Sequence, residues 1–151
     1  MKGQTLIEVL AALSILAVIA ASMTSVIASS LNNSIFSKNK TLATKYAQEG
    51  MESIHELRNN DYAQFTTYSG AYCMSTIPAS LTSRPPAGCS TPNVANFIRT
   101  VTITQSGCAV NTAKVTVMVS WSDGKCAAAT PYCHTESHDS CLSTINPIQG
   151  P

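Results

Sequence analysis

The chain begins Met1-Lys-Gly-Gln-Thr-Leu-Ile-Glu-Val-Leu-Ala-Ala-Leu-Ser-Ile-Leu16, a stretch with a single acidic residue, Glu8, inside an otherwise apolar run. Residues 9–37 carry no Asp, Glu, Lys or Arg, and the next charge is Lys38. This run exceeds the about 20 residues that cross the hydrocarbon core of a bilayer. It is rich in Ala, Leu and Ile and lacks Pro, which favours a helix. An ionised carboxylate at the edge of a membrane span is costly, so Glu8 indicates a specific partner.

Three interpretations of this segment lead to different mature proteins. A plain signal anchor would keep the whole segment. A secretory signal peptide would be cut near residues 20–22. The apolar region of such a peptide is normally uncharged, so Glu8 argues against this interpretation. In the third, only a leader of residues 1–3 is removed, and the apolar helix stays in the mature chain.

The short basic leader that ends in Gly3, the following Gln4-Thr-Leu-Ile-Glu-Val9 and the long apolar helix resemble the N-terminus of type IV prepilins. The resemblance implies cleavage between Gly3 and Gln4 by a prepilin peptidase, followed by N-methylation of Gln4. It also implies that Glu8 pairs with the free amine of Gln4 in a neighbouring subunit. The precursor is expected to cross the inner membrane once with its N-terminus inside, and the mature chain to enter an extracellular or periplasmic filament.

The spacing of apolar residues beyond the span stays close to 3.6 and predicts that the helix continues to about Asn60. A stripe on its second half consists of Leu42, Tyr46, Gly50, Ile54 and Leu57. The expected organisation is a leader at 1–3, a transmembrane and filament-core helix at 4–31, its amphipathic half at 32–60, and a globular head at 61–151.

The head is predicted to begin with an irregular connection at 61–95, which is rich in Pro and Gly. Alternating apolar residues then predict strands at Phe97–Thr104 and Lys114–Trp121, and a weaker pattern predicts a third at Asp139–Ile145. The predicted fold class is therefore α+β and pilin-like: a long N-terminal helix packed on a small antiparallel sheet of about three strands at 96–145, in meander order.

Two further stretches resemble minor pilins of the type IV pilus modification group. One is Tyr46–Asn60, which reads Tyr-Ala-Gln-Glu-Gly-Met-Glu-Ser-Ile-His-Glu-Leu-Arg-Asn-Asn, and the other is Val-Ser-Trp-Ser-Asp-Gly124 with the strand that ends in Leu-Ser-Thr-Ile145. This resemblance implies a minor subunit of the filament.

All six cysteines lie after residue 72, in the part of the chain that an N-terminal membrane segment would place outside the cytoplasm. An even number in that compartment predicts disulfides. Their positions in the predicted loops favour three pairs: Cys73–Cys89 within the long connection, Cys126–Cys133 within the second turn, and Cys108–Cys141 across the first turn and the last strand.

A metal site is the alternative for part of this region. Cys133, His134, His138 and Cys141 are residue types that bind zinc, but their spacing matches no common zinc finger, and exported thiols tend to oxidise. We therefore expect disulfides with two exposed histidines here, no metal and no cofactor.

Composition and motifs argue against catalysis and against binding of nucleic acid. The net charge is +1, so the chain has no long-range field for nucleic acid. No phosphate-binding glycine loop or nucleophile motif is present in the sequence, and Glu49, Glu52 and Glu56 are expected to form a solvated helix face.

The predicted function is that of a structural subunit, a minor pilin, and not an enzyme. Its expected partners are other pilin subunits, the prepilin peptidase, the inner-membrane assembly platform and, before assembly, the lipid bilayer. One alternative is a pseudopilin of a type II secretion or DNA-uptake system. The other is a secreted, disulfide-rich binding domain behind an ordinary signal peptide.

Overall fold

The computed structural model describes residues 4–75, 81–83, 88–89 and 92–145. A long helix, α1, spans Gln4–Asn60. The chain divides into two units with the boundary between Lys38 and Asn39, and each is described by itself. The described residues of the first unit are helical, and the second unit, the head, combines the last part of α1 with the remaining elements.

Among its described residues, the head contains a short helix and five strands in addition to the end of α1. They are α2 (Tyr62–Thr67), β1 (Gly70–Met74), β2 (Leu81–Ser83), β3 (Ile98–Gln105), β4 (Thr112–Trp121) and β5 (His134–Ser143). All pairs are antiparallel, and the order across the sheet is β2-β1-β3-β4-β5. The predicted α+β architecture is confirmed, as is the meander of three consecutive strands, β3, β4 and β5, which forms one side of the sheet.

The sheet is larger than the sequence predicts, because the connection at 61–95 is not irregular throughout. Asp61 caps α2 by accepting a hydrogen bond from the Gln64 amide at 2.8 Å. β1 then pairs with the free side of β3, and β2 pairs with β1. These two strands are three to five residues long and lie beside Pro and Gly, so their alternation is too brief to stand out.

The last strand is also displaced from its prediction. β5 begins at His134, five residues before the predicted start at Asp139, and ends at Ser143 instead of Ile145. It lies at the edge of the sheet, and of its residues only Leu142 is buried. Ladder hydrogen bonds to β4 define this strand, and an edge strand needs no apolar alternation to form them. The amide of Thr144 leaves the ladder and donates to the Asn111 carbonyl.

The second half of α1 packs on the sheet through small and medium side chains. Ala43, Ala47, Met51 and Ile54 are at most 4% exposed, whereas Leu42, Tyr46 and Leu57 are only partly buried. The buried face is therefore rotated slightly from the predicted stripe, toward the side of the helix that carries Ala43 and Ala47. The inward residues of β4 complete the core, as the sequence predicts: Val115, Val117, Val119 and Trp121.

A buried arginine lies between α1 and the sheet. The Arg99 side chain is 1% exposed, and its guanidinium donates to the Met74 carbonyl at 3.3 Å and the Tyr46 carbonyl at 3.1 Å. Desolvation lowers the pKa of Arg99, and the nearby Glu49 partly offsets this effect. Gly50 leaves the space for it, since a Cβ there would lie 3.0 Å from Arg99 Cδ and 2.9 Å from Val117 Cγ1.

Candidate assembly segment and head cysteine sites

The described part of the first unit exposes a long and largely apolar surface. Its large hydrophobic side chains are between 39% and 71% exposed, and they occur on every side of the helix. They are Leu6, Ile7, Val9, Leu10, Leu13, Ile15, Leu16, Val18, Ile19, Met23, Val26, Ile27, Leu31, Ile35 and Phe36. An apolar surface of this extent requires a bilayer or other protein chains to cover it.

Three hydroxyl groups of this segment donate hydrogen bonds within the helix. Ser14 Oγ donates to the Ala11 carbonyl, Ser22 Oγ to the Val18 carbonyl and Thr24 Oγ1 to the Ala21 carbonyl, each at 2.8 Å. Each of these bonds reaches a carbonyl of the preceding turn, which lets serine and threonine remain within a helix. These three hydroxyls can therefore enter an apolar medium without becoming unpaired.

The helix is long and apolar enough to cross a membrane. Its most apolar window of 18 residues has a mean hydropathy of 2.4, and none of that window is buried by the rest of the chain. Since a soluble core helix would be covered by its own protein, this exposure favours a membrane or an assembly as the environment.

The two residues expected to direct assembly lie in the first turns of α1. Gln4 is its first residue, and Glu8 follows one turn later with an exposed side chain. At a rise of about 1.5 Å per residue, their backbones are about 6 Å apart along the helix axis. The leader residue Gly3 lies outside the described residues.

Comparison with known families identifies this segment. Residues 1–24 match the family model described as the prokaryotic N-terminal methylation motif, which is the type IV pilin signature. No curated protein and no solved structure gives a significant match. The motif indicates that the chain is a type IV pilin-like substrate of prepilin peptidase, of a class that is structural and assembles with other pilins. The apolar helix fits membrane anchoring before assembly.

Three disulfides connect the six cysteines of the head. They are Cys73–Cys89, Cys108–Cys141 and Cys126–Cys133, the pairs that the loop positions predict. The first joins β1 to the connection that precedes β3, and the second joins the β3–β4 turn to β5. The third closes the loop between β4 and β5.

The zinc ligands considered from sequence do not come together. His134 and His138 are four residues apart on β5, which separates them by about 13 Å. Cys141 is joined to Cys108 instead. The structure places Cys133 and His134 beside two other residues, Asp123 and Cys126, in the loop after β4.

Asp123 and His134 are in direct contact at the base of that loop. His134 Nε2 lies 2.9 Å from Asp123 Oδ2, and the Lys125 amide donates to Asp123 Oδ1 at 3.0 Å. The Lys125 amide, followed by His134, lowers the pKa of Asp123. The His134 ring also packs on Trp121, with ring centroids 5.4 Å apart. No sequence pattern singled out Asp123 as a site residue, because its partner His134 lies eleven positions later in the chain.

Sequence reasoning also missed Arg99, although a signal was present. In β3, Arg99 has the same parity as Val101 and Ile103, so the alternation that places those two residues inside places the arginine inside as well. Its role is to hold α1 on the sheet, since its two acceptor carbonyls belong to α1 and β1.

Proposed function

We propose that the chain is a structural subunit of a type IV pilus, and specifically a minor pilin. The observation that carries the proposal is the methylation motif at residues 1–24, on a helix whose apolar side chains its own chain leaves uncovered. Prepilin peptidase would cut between Gly3 and Gln4, and Gln4 would then be N-methylated. The apolar helix would remain as the assembly element.

Two environments would cover the helix in turn. Before assembly the bilayer surrounds it, in a single-span inner-membrane precursor with its N-terminus inside. After assembly the helices of neighbouring subunits replace the lipid, and the assembly platform mediates this transfer. Both environments are apolar, so the same side chains suit both. Apolar contacts alone would allow neighbouring helices to slide along each other, and Glu8 is the main feature that would favour one axial offset.

Glu8 would define the axial position of each subunit. In a filament its carboxylate is removed from water, and a buried charge without a partner costs several kcal/mol. The amine of Gln4 in a neighbouring subunit is the proposed cation, and it exists only if cleavage follows Gly3. Any other register would leave both charges unpaired, so the pair selects one register.

The assignment to the minor pilins is supported by the sequence resemblance of residues 46–60 and 119–124. It is tested by the abundance of the chain in sheared, purified filaments. We expect peptides of the head to be present at a small fraction of the major subunit. Equal abundance would identify a major pilin. If the chain is exported but is absent from the purified pili, a pseudopilin would be favoured.

The role of Glu8 is tested by Glu8→Ala, with Glu56→Ala as the matched control. Glu56 is an exposed glutamate of the same helix, within the head. We expect Glu8→Ala to enter the membrane normally but to reach filaments at least about tenfold less, since each 1.4 kcal/mol corresponds to about tenfold. The control should be incorporated at the level of the unmodified chain. Normal incorporation of Glu8→Ala would contradict the proposed pairing.

A further inference from the structure

Four metal-ligating side chains converge at the base of the loop between β4 and β5. Asp123, Cys126, Cys133 and His134 each offer one ligand atom, and these atoms all lie within 4.8 Å of one another. Cys126 Sγ is 3.9 Å from Asp123 Oδ1, and the Cys133 amide is 3.2 Å from Cys126 Sγ. In the structure, the two sulfurs are joined as a disulfide.

The sheet defines the positions of these residues. His134 is the first residue of β5 and pairs with Trp121, the last residue of β4. The two ends of the β4–β5 loop are therefore next to each other. Asp123 follows β4 by two residues, and Gly124 turns the chain at a φ of +79°, which a glycine adopts without strain. The Lys125 amide then holds the Asp123 carboxylate toward His134.

We propose that these four residues form a zinc site when the Cys126–Cys133 disulfide is reduced, and that disulfide formation expels the ion. Two thiolates, an imidazole and a carboxylate are ligands that Zn²⁺ binds with tetrahedral geometry. Bonds of about 2.3 Å to sulfur and about 2.0–2.1 Å to nitrogen or oxygen place neighbouring donors roughly 3.3–3.8 Å apart. The observed cluster needs only small displacements to reach that spacing.

The two states are related by a balanced exchange. A dithiol reductant supplies two electrons and two protons, the S–S bond breaks, and the reductant becomes a disulfide while Cys126 and Cys133 become thiols. Zn²⁺ then binds both sulfurs as thiolates and releases two protons. In the reverse direction an oxidised dithiol accepts the electrons, and the metal leaves because a disulfide offers no thiolate.

A polypeptide made in the reducing cytoplasm has free thiols until it meets an oxidising compartment. The zinc state would therefore belong to the head before oxidation, and the disulfide state to the exported head. The ion would hold the ends of the β4–β5 loop together before the covalent bond does. The geometry that supports this inference is independent of the role of Glu8 in assembly.

The test uses the full-length chain in detergent, fully reduced and then treated with a thiol-alkylating reagent with and without Zn²⁺. Mass mapping reports the alkylation of each cysteine, so the other four act as internal controls. We expect Zn²⁺ to slow the alkylation of Cys126 and Cys133 at least about tenfold and to leave the other four unchanged. Absence of protection, or equal protection of all six, would overturn the proposal.

Matched variants examine the other two ligands. His134→Asn should weaken Zn²⁺ binding, measured by competition with a chromophoric chelator, by at least about tenfold, whereas His138→Asn on the same strand should not. Asp123→Asn is compared with Asp139→Asn in the same way. Equal effects within either pair would contradict the assignment, and would indicate binding by an unfolded chain or by thiols alone.

A second form of the experiment isolates the redox dependence. In a variant with Cys73, Cys89, Cys108 and Cys141 replaced by Ser, Co²⁺ should give the absorption of a tetrahedral thiolate site only after reduction. The same spectrum from the oxidised variant would contradict the proposed exclusion. Circular dichroism establishes that this variant is folded, and if it is not, the alkylation map of the natural sequence decides.

Discussion

The two units of this protein use apolar side chains in opposite ways. In the first unit Ile15 is 61% exposed, and in the head Ile54, on the same helix, is fully buried. In the head, the sheet buries the apolar side chains of α1. In the first unit, these side chains would have to be buried by a membrane or by other subunits. Apolar content alone therefore does not reveal burial within a chain; what matters is whether the chain contains a complementary surface.

The largest expected effect comes from removing buried volume in the head. Ile54→Ala should lower the free energy of unfolding of the head by about 2–5 kcal/mol, because it loses buried apolar surface and leaves a cavity. Ile15→Ala, the matched change in the first unit, should alter it by less than about 0.5 kcal/mol. Chemical unfolding of the full chain in detergent, followed by the fluorescence of its single tryptophan, Trp121, measures both.

Equal losses from the two isoleucine variants would break the comparison between the units. They would mean that the first unit contributes to the stability of the head, which the exposure of its apolar side chains does not support.

The disulfides sharpen the account of the head. The pair Cys108–Cys141 closes a loop with a sequence separation of 33, against 7 for Cys126–Cys133. Loop-closure entropy then predicts losses of about 4 kcal/mol and about 2 kcal/mol when each pair is replaced by Ser. Denaturant midpoints of the two double variants provide the comparison. A larger loss from the shorter loop would rule out loop closure as the main source of the stabilisation.

A smaller effect is expected where α1 meets the sheet most closely. Gly50→Leu inserts a side chain where even a Cβ would lie 2.9 Å from Val117 Cγ1, and overpacking of this kind costs about 1–3 kcal/mol. Gln48→Leu, at an exposed position two residues earlier, serves as the control. If both variants unfold at the same denaturant concentration, α1 does not approach the sheet as closely at Gly50 as described.

The smallest effect concerns the pH dependence of the head. The Thr116 hydroxyl, followed by Lys114 at 3.1 Å, lowers the pKa of Asp139. Its carboxylate therefore stabilises the head above the ordinary pKa of about 3.9, and this contribution is lost as the pH falls through the lowered value. Asp139→Asn should be less stable than the unmodified chain at neutral pH, and the difference should disappear as the pH falls below the lowered pKa, when both are unfolded by denaturant. A difference that persists in acid would exclude this carboxylate as its source.

Much of the fold could be predicted from local patterns. The alternation of Val115, Val117 and Val119 identified β4, and the 3.6-residue spacing identified the helix up to Asn60. The edge elements could not be predicted in the same way. β5 carries mostly polar side chains, and β1 and β2 are short, so backbone pairing with neighbouring strands determines them more than side-chain pattern does.

The candidate sites also differ in whether a local sequence pattern reveals them. Gly3, Gln4 and Glu8 lie within a contiguous motif, so the sequence alone was enough to single them out. Asp123 and His134 are eleven positions apart and meet only because β4 and β5 pair, which no local pattern reports. The buried state of Arg99 was accessible from strand parity, but a charged residue is rarely expected in a core.

The central claim is that the apolar helix remains in the mature protein and begins at Gln4. Intact-mass measurement of the mature chain, purified from membranes or filaments, tests it most directly. The account predicts a mass that corresponds to residues 4–151, heavier by one CH₂ because a methyl group replaces a hydrogen at Gln4, and lighter by six hydrogens for the three disulfides. A mature chain that begins near residue 22 would contradict it.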